Sequence, residues 1–339
     1  MTGGNDPATG AAGANADPQG APGVSSRGVL LVLDPLEELK PHKDSSIAMM
    51  RALALRGIAL WACTPRELRW DATQVLAGAR PLEIRSGPAW FAAGEEAVRP
   101  LHGFAAVLMR KDPPFDSEYL YATHLLGAAA RSGAQVFNAP GALRDHNEKL
   151  AIIEFPEFIA PTLVTCDPDC ILRFQREQGD IVVKPLDGMG GSGVFRLGPG
   201  DPNVNVILET ATRLGTRTVM AQRYLPQIAQ GDKRIVLIDG EAVPYALARV
   251  PRPGESRGNL AAGGTGYAQP LSTRDAQIAR ALGPTLAARG LFLVGLDVIG
   301  DCLTEINVTS PTCFVEIHEQ AGYDVAGHFA DALLRRLRA

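Results

Sequence analysis

The stretch GLDVIGDCLTEINVTSPT, residues 295–312, carries most of the information about the fold of this chain. Two short apolar runs, 294–299 and 303–308, predict β-strands joined by a tight turn at Gly300-Asp301. Oxygen-bearing side chains interrupt the apolar pattern inside both runs. The stretch therefore predicts a β-hairpin that presents a small group of polar side chains.

Three of these side chains are candidates for one site. Glu305 and Asn307 are two positions apart, so the two-residue period of a strand directs both to one face. Asp297 lies opposite Glu305 if the loop has an odd number of residues centred on Asp301, and we expect this loop. Carboxylate and amide oxygens suit Mg²⁺, or Mn²⁺, together with phosphate oxygens. The alternative is that these side chains occupy the solvated face of an ordinary hairpin.

Composition limits the class of protein. A chain of 339 residues with 46% hydrophobic residues is long enough for two or three cored domains. A net charge of −4 and a pI near 5.9 give little reason to bind nucleic acid or an anionic membrane. No apolar run approaches the roughly 18–20 residues that span a bilayer. Five cysteines without a CxxC pair favour free thiols in a reducing compartment, so we expect a cytoplasmic protein.

The N-terminal segment differs from the rest of the chain. Residues 1–27 consist mainly of Gly, Ala, Pro and Asn, without the basic start and apolar core of a signal peptide. Such a composition buries too little apolar surface to offset the entropy of ordering. We expect a disordered tail.

Residues 28–145 predict an N-terminal α/β substrate-binding domain. Apolar runs alternate with amphipathic stretches, which indicates βαβ units. Two polar loops, PHKDSS at 41–46 and RKDPPFD at 110–116, follow predicted strands, where open α/β sheets bind ligands. Ser45 and Ser46 at a helix N-terminus, or Arg110 with Lys111, could hold a substrate carboxylate. The alternative is a helix cap and a Pro-stiffened turn.

Residues 146–226 predict a second, smaller α/β unit, entered through a helical stretch at 144–155. Its main feature is DGMGGSG, 187–193, between two apolar strands. Glycines allow backbone N–H groups to approach a polyphosphate, and Lys184 lies three residues upstream. The loop has neither a Walker nor a dinucleotide-binding pattern. By itself it could be a plain flexible turn.

Residues 227–339 predict a C-terminal unit dominated by hairpins. One hairpin turns at Asp239-Gly240, and its strands carry charged residues at their outer ends. The segment 250–266 is rich in Gly and Arg without apolar periodicity, which is typical of a lid closing over anionic ligands.

Six motifs in order along the chain resemble the ATP-grasp ligases, and in particular the bacterial glutathione synthetase family. They are NEKL (147–150), VKPLDGMGGSGVF (183–195), AQRYLP (221–226), GDKR (231–234), ARVPRPGESRGNLAAGG (248–264) and the hairpin stretch itself. The resemblance covers residues 28 to about 337. It implies an ATP-grasp fold with an N-terminal α/β domain, a small central α/β domain and a C-terminal antiparallel-sheet domain.

The resemblance also implies roles for individual residues. ATP would lie between the central and C-terminal units, two metal ions would be held by Asp297, Glu305 and Asn307, and arginines would face the transferred phosphoryl group or cover the substrates. Nucleotide contacts would come from Lys149, Lys184, Asp187, Gly188, Gly190, Gly191, Ser192, Gln222, Tyr224, Leu225 and Asp232. The arginines would be Arg234, Arg249 and Arg257.

The implied reaction joins γ-glutamylcysteine to glycine with ATP, through an acyl phosphate, in a homo-oligomer that the family suggests is a tetramer. Two alternatives remain at this point. Another carboxylate–amine ligase, such as a D-alanine–D-alanine type, would share the ATP half and differ in the lid and first domain. A non-catalytic ATP-binding regulatory protein would not need the full metal set or the arginines of the lid.

Overall fold

The N-terminal part of the chain forms a sheet that is parallel at its centre. The computed structural model describes Met1, residues 23–252, Gly258, Leu260 and residues 263–338. The strands of this first sheet are β1 (Val29–Val32), β2 (Leu60–Cys63), β3 (Leu68–Asp71), β4 (Gln74–Ile84), β5 (Phe91–Ala93), β6 (Ala97–Pro100), β7 (Ala106–Met109) and β8 (Val136–Phe137). The order is β3-β4-β2-β1-β7-β8, with β5 and β6 also paired to β4. Strand β1 is buried throughout, as expected where helices cover both faces of a parallel sheet.

The helices of this part are α1 (Val24–Arg27), α2 (Ser45–Ala54), α3 (Ser117–Arg131) and α4 (Pro140–Asp145). Helix α2 begins as predicted, because the Asp44 carboxylate accepts hydrogen bonds from the first free N–H groups of the helix. Helix α1 corrects the predicted tail: one helical turn lies within residues 1–27, and Val24 packs against the core. Residues 2–22 lie outside the described part.

The second sheet is small and antiparallel. It contains β9 (Thr162–Thr165), β10 (Ile181–Pro185), β11 (Phe195–Leu197) and β12 (Val219–Arg223) in the order β11-β10-β12-β9. Helices α5 (Pro168–Gln178) and α6 (Val204–Thr212) cover one face. Most of its buried apolar side chains form a core of their own. Met220 on β12 instead joins one of the two larger cores, each of which contains residues from both other sheets.

The entry to this second unit differs from the prediction. A single helical stretch was expected at 144–155, but α4 ends at Asp145 and a separate 3-10 turn covers Leu150–Glu154. The side-chain oxygen of Asn147 accepts hydrogen bonds from the N–H groups of Lys149 and Leu150, at 3.1 and 3.0 Å. Such local bonding competes with a continuous helix, so the chain turns at this point.

The third sheet is antiparallel and holds the predicted hairpin at its edge. Its strands are β13 (Asp232–Ile238), β14 (Glu241–Val250), β15 (Thr265–Pro270), β16 (Leu293–Ile299) and β17 (Cys302–Asn307), in the order β15-β14-β13-β16-β17. Helices α7 (Thr273–Ala288), α8 (Phe314–Ala321) and α9 (Val325–Arg336) pack around it. In the residues described, no helix combines the length and apolar character that a membrane crossing needs.

The hairpin has the predicted cross-strand pairing, but this pairing arises from a bulge and not from the length of the loop. Asp297 lies opposite Glu305, as expected, yet the predicted odd loop is wrong because Ile299 pairs with Cys302 across a two-residue turn. One extra residue, Thr304, is bulged out between the paired positions on β17. A bulge adds one residue to one strand, so it restores the same facing that an odd loop would have produced.

Candidate active site

A row of charged side chains crosses the third sheet. Arg234 on β13 is the cross-strand partner of Asp297 on β16, and its guanidinium binds that carboxylate through two bonds, Nε–Oδ1 at 2.5 Å and Nη2–Oδ2 at 3.1 Å. Arg249 on β14 donates to Asp297 Oδ2 at 2.9 Å and to Asp232 Oδ2 at 2.6 Å. Arg234, Arg249 and Asp297 are buried. Two guanidinium groups and two carboxylates therefore form one buried ionic network.

Gly295 makes room for this network. A Cβ atom at this position would lie 2.8 Å from Arg234 Cδ and 3.0 Å from its Nε. Since such contacts are too short for a side chain, only glycine lets the guanidinium lie flat across β16 and reach Asp297.

The pKa values of the two carboxylates in the network shift in opposite directions. Burial by itself favours the neutral form of Asp297, but Arg234 and Arg249 outweigh it and hold the pKa of this carboxyl below its usual value. Burial raises the pKa of Asp232 to about 7, since Arg249 compensates only in part and the Asp297 charge acts in the same direction as burial. Asp232 Oδ1 is buried without a hydrogen-bond partner among the described residues, and Asp232 is one of the residues that line the cavity.

Two lysines meet the hairpin from the central unit. Lys149 Nζ lies 3.4 Å and Lys184 Nζ 4.0 Å from Glu305 Oε1. Both lysines are buried, at 4% and 6% exposure, although a lysine in a polar stretch is usually solvated. Burial, followed by Lys149, lowers the pKa of Lys184, and Glu305 opposes this shift. The pattern is that of a cationic site arranged for phosphate oxygens.

The glycine loop lies between β10 and β11, as predicted. Gly190, Gly191 and Gly193 all have positive φ values, which a side chain would disfavour. Asp187, at the start of the loop, forms an ion pair with Arg217, and its side chain is 65% exposed. An exposed ion pair is therefore the side-chain contact at the start of the loop, and Gly188, Gly190 and Gly191 line the same cavity as the hairpin.

The predicted adenine linker follows β12. Gln222 donates from Nε2 to Thr162 Oγ1 at 2.9 Å. The guanidinium of Arg196 stacks on the ring of Tyr224, 3.9 Å from its centroid, and pairs with Asp180. Arg196 was not identified from the sequence, because an arginine on an edge strand gives no sign of what it stacks against.

A cavity of about 640 Å³ lies between these elements, a volume typical of small-ligand sites. Nearly all of the predicted site residues that the structure describes line it. Asp187 is the exception, and Arg257 lies outside the described residues. The lining includes Lys149, Lys184, Gly188, Gly190, Gly191, Ser192, Gln222, Tyr224, Leu225, Asp232, Arg234, Arg249, Asp297, Glu305 and Asn307.

The polar loops of the first sheet also reach this cavity. Lys43, Lys111 and Asp112 line it, and Lys111 pairs with Asp34 at 2.7 Å. Arg110 does not form the ligand-holding pair with Lys111 that was one of the alternatives for this loop. It is buried behind the cavity, where Nε donates to Ser46 Oγ and Nη2 to the carbonyl of Pro311, both at 3.1 Å.

The segment predicted as a lid is only partly described. Val250 belongs to β14, and the last two residues, Thr265 and Gly266, belong to β15, so the predicted ends of the lid are strand residues. Gly258 and Leu260 line the cavity. Residues 253–257, 259, 261 and 262 lie outside the described part.

The donor groups on the hairpin fit a hard cation. Asp297, Glu305 and Asn307 line the same cavity, and Asn307 uses its Nδ2 to donate to the Gly295 carbonyl at 3.3 Å, which leaves its Oδ1 as a free acceptor. Among the described residues, no group of three or more His, Cys, Asp or Glu side chains could hold a metal ion. A metal site on the hairpin therefore needs the amide of Asn307 in addition to the two carboxylates.

Comparisons with known proteins match both main parts of the chain to one family. A family model described as the N-terminal domain of prokaryotic glutathione synthetase matches residues 28–144, and one described as its ATP-grasp domain matches residues 148–322. A glutathione synthetase from Nitrosomonas europaea is 58% identical over 306 residues, covering 89% of this chain and 96% of its own. One from Bordetella parapertussis is 58% identical over 311 residues, covering 90% and 98%.

Solved structures with the same fold are more distant in sequence. The D-cycloserine synthetase DcsG has a TM-score of 0.65 at 18% identity, covering 91% of this chain and all (100%) of its own. The ATP-grasp ligase PsnB, complexed with a minimal precursor, Mg and ADP, has a TM-score of 0.60 at 19% identity, covering 92% and 99%. At these identities the likeness concerns the fold, which is the ATP-grasp fold.

Proposed function

Because this chain belongs to the prokaryotic glutathione synthetase family, and thus joins γ-glutamylcysteine to glycine with ATP, we propose that the cavity between the glycine loop and the hairpin is where this ligation occurs. The observation that supports it most is the meeting of Lys149, Lys184 and Glu305 within 4.0 Å at the cavity wall. Cations beside a carboxylate, under a loop of glycines, form a site for polyphosphate and its counter-ion.

The reaction needs charge neutralisation more than a nucleophilic side chain. The cysteinyl carboxylate of γ-glutamylcysteine attacks the γ-phosphorus of ATP, which releases ADP and leaves an acyl phosphate. The amine of glycine then attacks the acyl carbon, and phosphate departs as the peptide bond forms. Phosphoryl transfer of this kind depends mainly on positioning and electrostatic stabilisation.

The two lysines and the glycine loop would hold the phosphates. Lys149 and Lys184 supply positive charge from buried positions, and backbone N–H groups at Gly188, Gly190, Gly191 and Ser192 can approach without an intervening side chain. We assign Asp187 to the same nucleotide site as an anchor of the loop, through its ion pair with Arg217.

The base and ribose would lie along the linker after β12. We assign Gln222, Tyr224 and Leu225 to adenine, on the basis of their position in the cavity wall. Asp232 is assigned to the ribose because it lines the cavity and a carboxylate accepts hydrogen bonds from hydroxyl groups.

The arginines would act on the transferred phosphoryl group. Arg234 and Arg249 line the cavity while bound to Asp297, so their charge is fixed in place before a ligand arrives. Arg257 is proposed to approach from the 250–266 segment, and Gly258 and Leu260 of that segment line the cavity. Covering the site would protect the acyl phosphate from water.

Mg²⁺, or Mn²⁺, would be held by Asp297, Glu305 and Asn307, and when bound would neutralise charge on the phosphates.

We further propose that the chain has three units, 28–145, 146–226 and 227–339, and acts as a homo-tetramer in the cytoplasm. All five cysteines are free, which supports a reducing compartment. Light scattering would test the tetramer against the 36.0 kDa monomer.

Release of ADP, measured with each pair of candidate substrates, tests the proposed site and its specificity. We expect release with γ-glutamylcysteine and glycine, and none above background with two molecules of D-alanine. Charge reversal at the cavity wall, Lys184→Glu, should abolish release with the productive pair, because it puts a carboxylate where phosphate is expected. Undiminished turnover of this variant would contradict the proposed phosphate site.

A further inference from the structure

Strand β17 is the last strand of its sheet, so one of its edges has no neighbouring strand. Along that edge, backbone groups of alternate residues point away from β16 and need other partners. These groups include the carbonyl of Thr304 and the N–H groups of Ile306 and Val308. The carbonyl of Val308 accepts a hydrogen bond from Asn138 Nδ2 at 2.9 Å. The edge lies directly beside Glu305 and Asn307, the side chains assigned to the metal.

Glu148 supplies most of the missing partners. Its backbone carbonyl accepts the Ile306 N–H at 2.8 Å. Its side-chain Oε1 accepts the N–H of Val308 at 2.9 Å, the N–H of Thr309 at 3.1 Å and the hydroxyl of Thr309 at 2.9 Å. One residue thus replaces a neighbouring strand over the end of β17.

Lys184, one of the two lysines assigned to the phosphates, also bonds to this edge of β17. Lys184 Nζ donates to the carbonyl of Thr304 at 3.1 Å, two residues before the contact with Glu148. On the other side, Asn147 Nδ2 donates to the Leu186 carbonyl at 3.0 Å and Lys149 Nζ to the Gly188 carbonyl at 2.7 Å. Residues 147–149 therefore join the hairpin to the glycine loop.

We propose that Glu148 is a positioning residue of the ligase: by closing the free edge of β17 it holds Glu305 and Asn307 at a fixed place relative to the glycine loop. The inference rests on the proposed assignment of these two side chains to the metal. Without Glu148 the chain after Asn307 loses three hydrogen bonds, and two backbone N–H groups are left to find other partners.

The Glu148 side chain acts as a hydrogen-bond acceptor that must reach a fixed distance from its backbone. A glutamine keeps both the reach and an Oε1 acceptor, whereas an alanine removes the acceptor. Loss of a group that hydrogen-bonds to a metal ligand and orients it commonly lowers metal affinity 10- to 100-fold. Glu148→Ala should show this effect, and Glu148→Gln should largely restore the original behaviour.

Two measurements test the proposal without relying on turnover. Calorimetry gives the Kd of ADP with and without Mg²⁺. The Kd without Mg²⁺ divided by the Kd with Mg²⁺ is the Kd ratio, and it reports metal binding in the nucleotide complex. Hydrogen exchange of the peptide 302–312 reports the closing of the edge. Glu148→Ala should lower the Kd ratio at least about tenfold, leave the metal-free Kd within about threefold and speed exchange in this peptide. Glu148→Gln, and Glu157→Ala at an exposed nearby carboxylate, should change neither measurement by more than about twofold.

Each other outcome counts against the proposal. One outcome overturns this inference alone. In it, Glu148→Ala speeds exchange but leaves the Kd ratio unchanged, while Glu305→Gln lowers the Kd ratio. A ratio insensitive to Glu305→Gln overturns the metal assignment and the inference with it. If Glu148→Ala does not fold, Thr309→Val removes one of the three donors, and an unchanged ratio and exchange rate in that variant overturn the proposal.

Discussion

The hairpin β16–β17 and the glycine loop between β10 and β11 face each other across the cavity, and they are held in opposite ways. The hairpin side consists of buried charges, with Asp297 bound by two guanidinium groups. The loop side consists mainly of backbone, and the ion pair at its base, Asp187–Arg217, is largely exposed. One wall is fixed before the ligand arrives, and the other can adjust to it.

This difference follows from what each wall has to recognise. Charge that develops in a transition state is best stabilised by groups that do not reorganise, which favours a rigid network. Phosphates that enter and leave with every turnover need donors that can close over them, which favours glycine. The following substitutions test whether the two walls differ in this sense.

The largest effect is expected on the stability of the hairpin wall. Arg234→Met removes one partner of a buried ion pair and leaves Asp297 with Arg249 alone, so the free energy of unfolding should fall by about 3 kcal/mol or more. Arg336→Met breaks an arginine–aspartate pair at the surface, with Asp239, and should cost about 1 kcal/mol at most. Urea unfolding of both variants measures the contrast. Equal midpoints would mean that burial does not distinguish the two pairs.

A somewhat smaller effect is expected on catalysis. Glu305→Gln removes a carboxylate that lies beside both lysines, and the loss of one such electrostatic contact should lower glutathione formation at least about 100-fold. The thermal midpoint should stay the same, since this side chain is 25% exposed. Glu209→Gln on α6 is the control. Normal turnover of Glu305→Gln at limiting Mg²⁺ would remove Glu305 from the proposed metal site.

The smallest effect is expected on the loop wall. Gly190→Ala places a side chain at φ +63° in open space, so the cost is confined to the backbone, about 1–2 kcal/mol. Because the loop can relax from this conformation when ATP is absent, the cost falls on binding: the KM for ATP should rise about five- to thirtyfold, and the thermal midpoint without ligand should hardly change. Gly200→Ala introduces a similar strain at φ +77° in a turn outside the cavity and should leave the KM unaltered. Similar KM values for the two variants would indicate that the loop does not close on ATP.

Much of this architecture could be predicted from the sequence because local rules determine it. The alternating strands and helices of residues 28–145, the helix start at Ser45 and the turn at Asp239-Gly240 each depend on residues close together in the chain. The facing of Glu305 and Asn307 follows from the period of a strand. These features were predicted correctly.

Other parts depended on distant residues and were missed or misjudged. Nothing near Glu148 in the sequence shows that it meets Val308 and Thr309, which are 160 and 161 positions away. Arg110 was one of two alternatives for holding a substrate carboxylate, but it is buried and donates to the carbonyl of Pro311, which is 201 residues further on. The bulge at Thr304 also escaped prediction, since a threonine in a strand gives no sign that it will be left unpaired.

The bulge at Thr304 decides which face of the sheet Glu305 occupies. If Thr304 paired with Asp297 instead of bulging, the two-residue turn would bring Glu305 opposite Leu296 and turn the carboxylate to the other face. Deleting Thr304 removes the bulge and leaves Glu305 directly after Leu303, so Glu305 again pairs with Asp297. Relatives of this enzyme that are one residue shorter at this point should therefore have a regular hairpin and still present the carboxylate to the cavity.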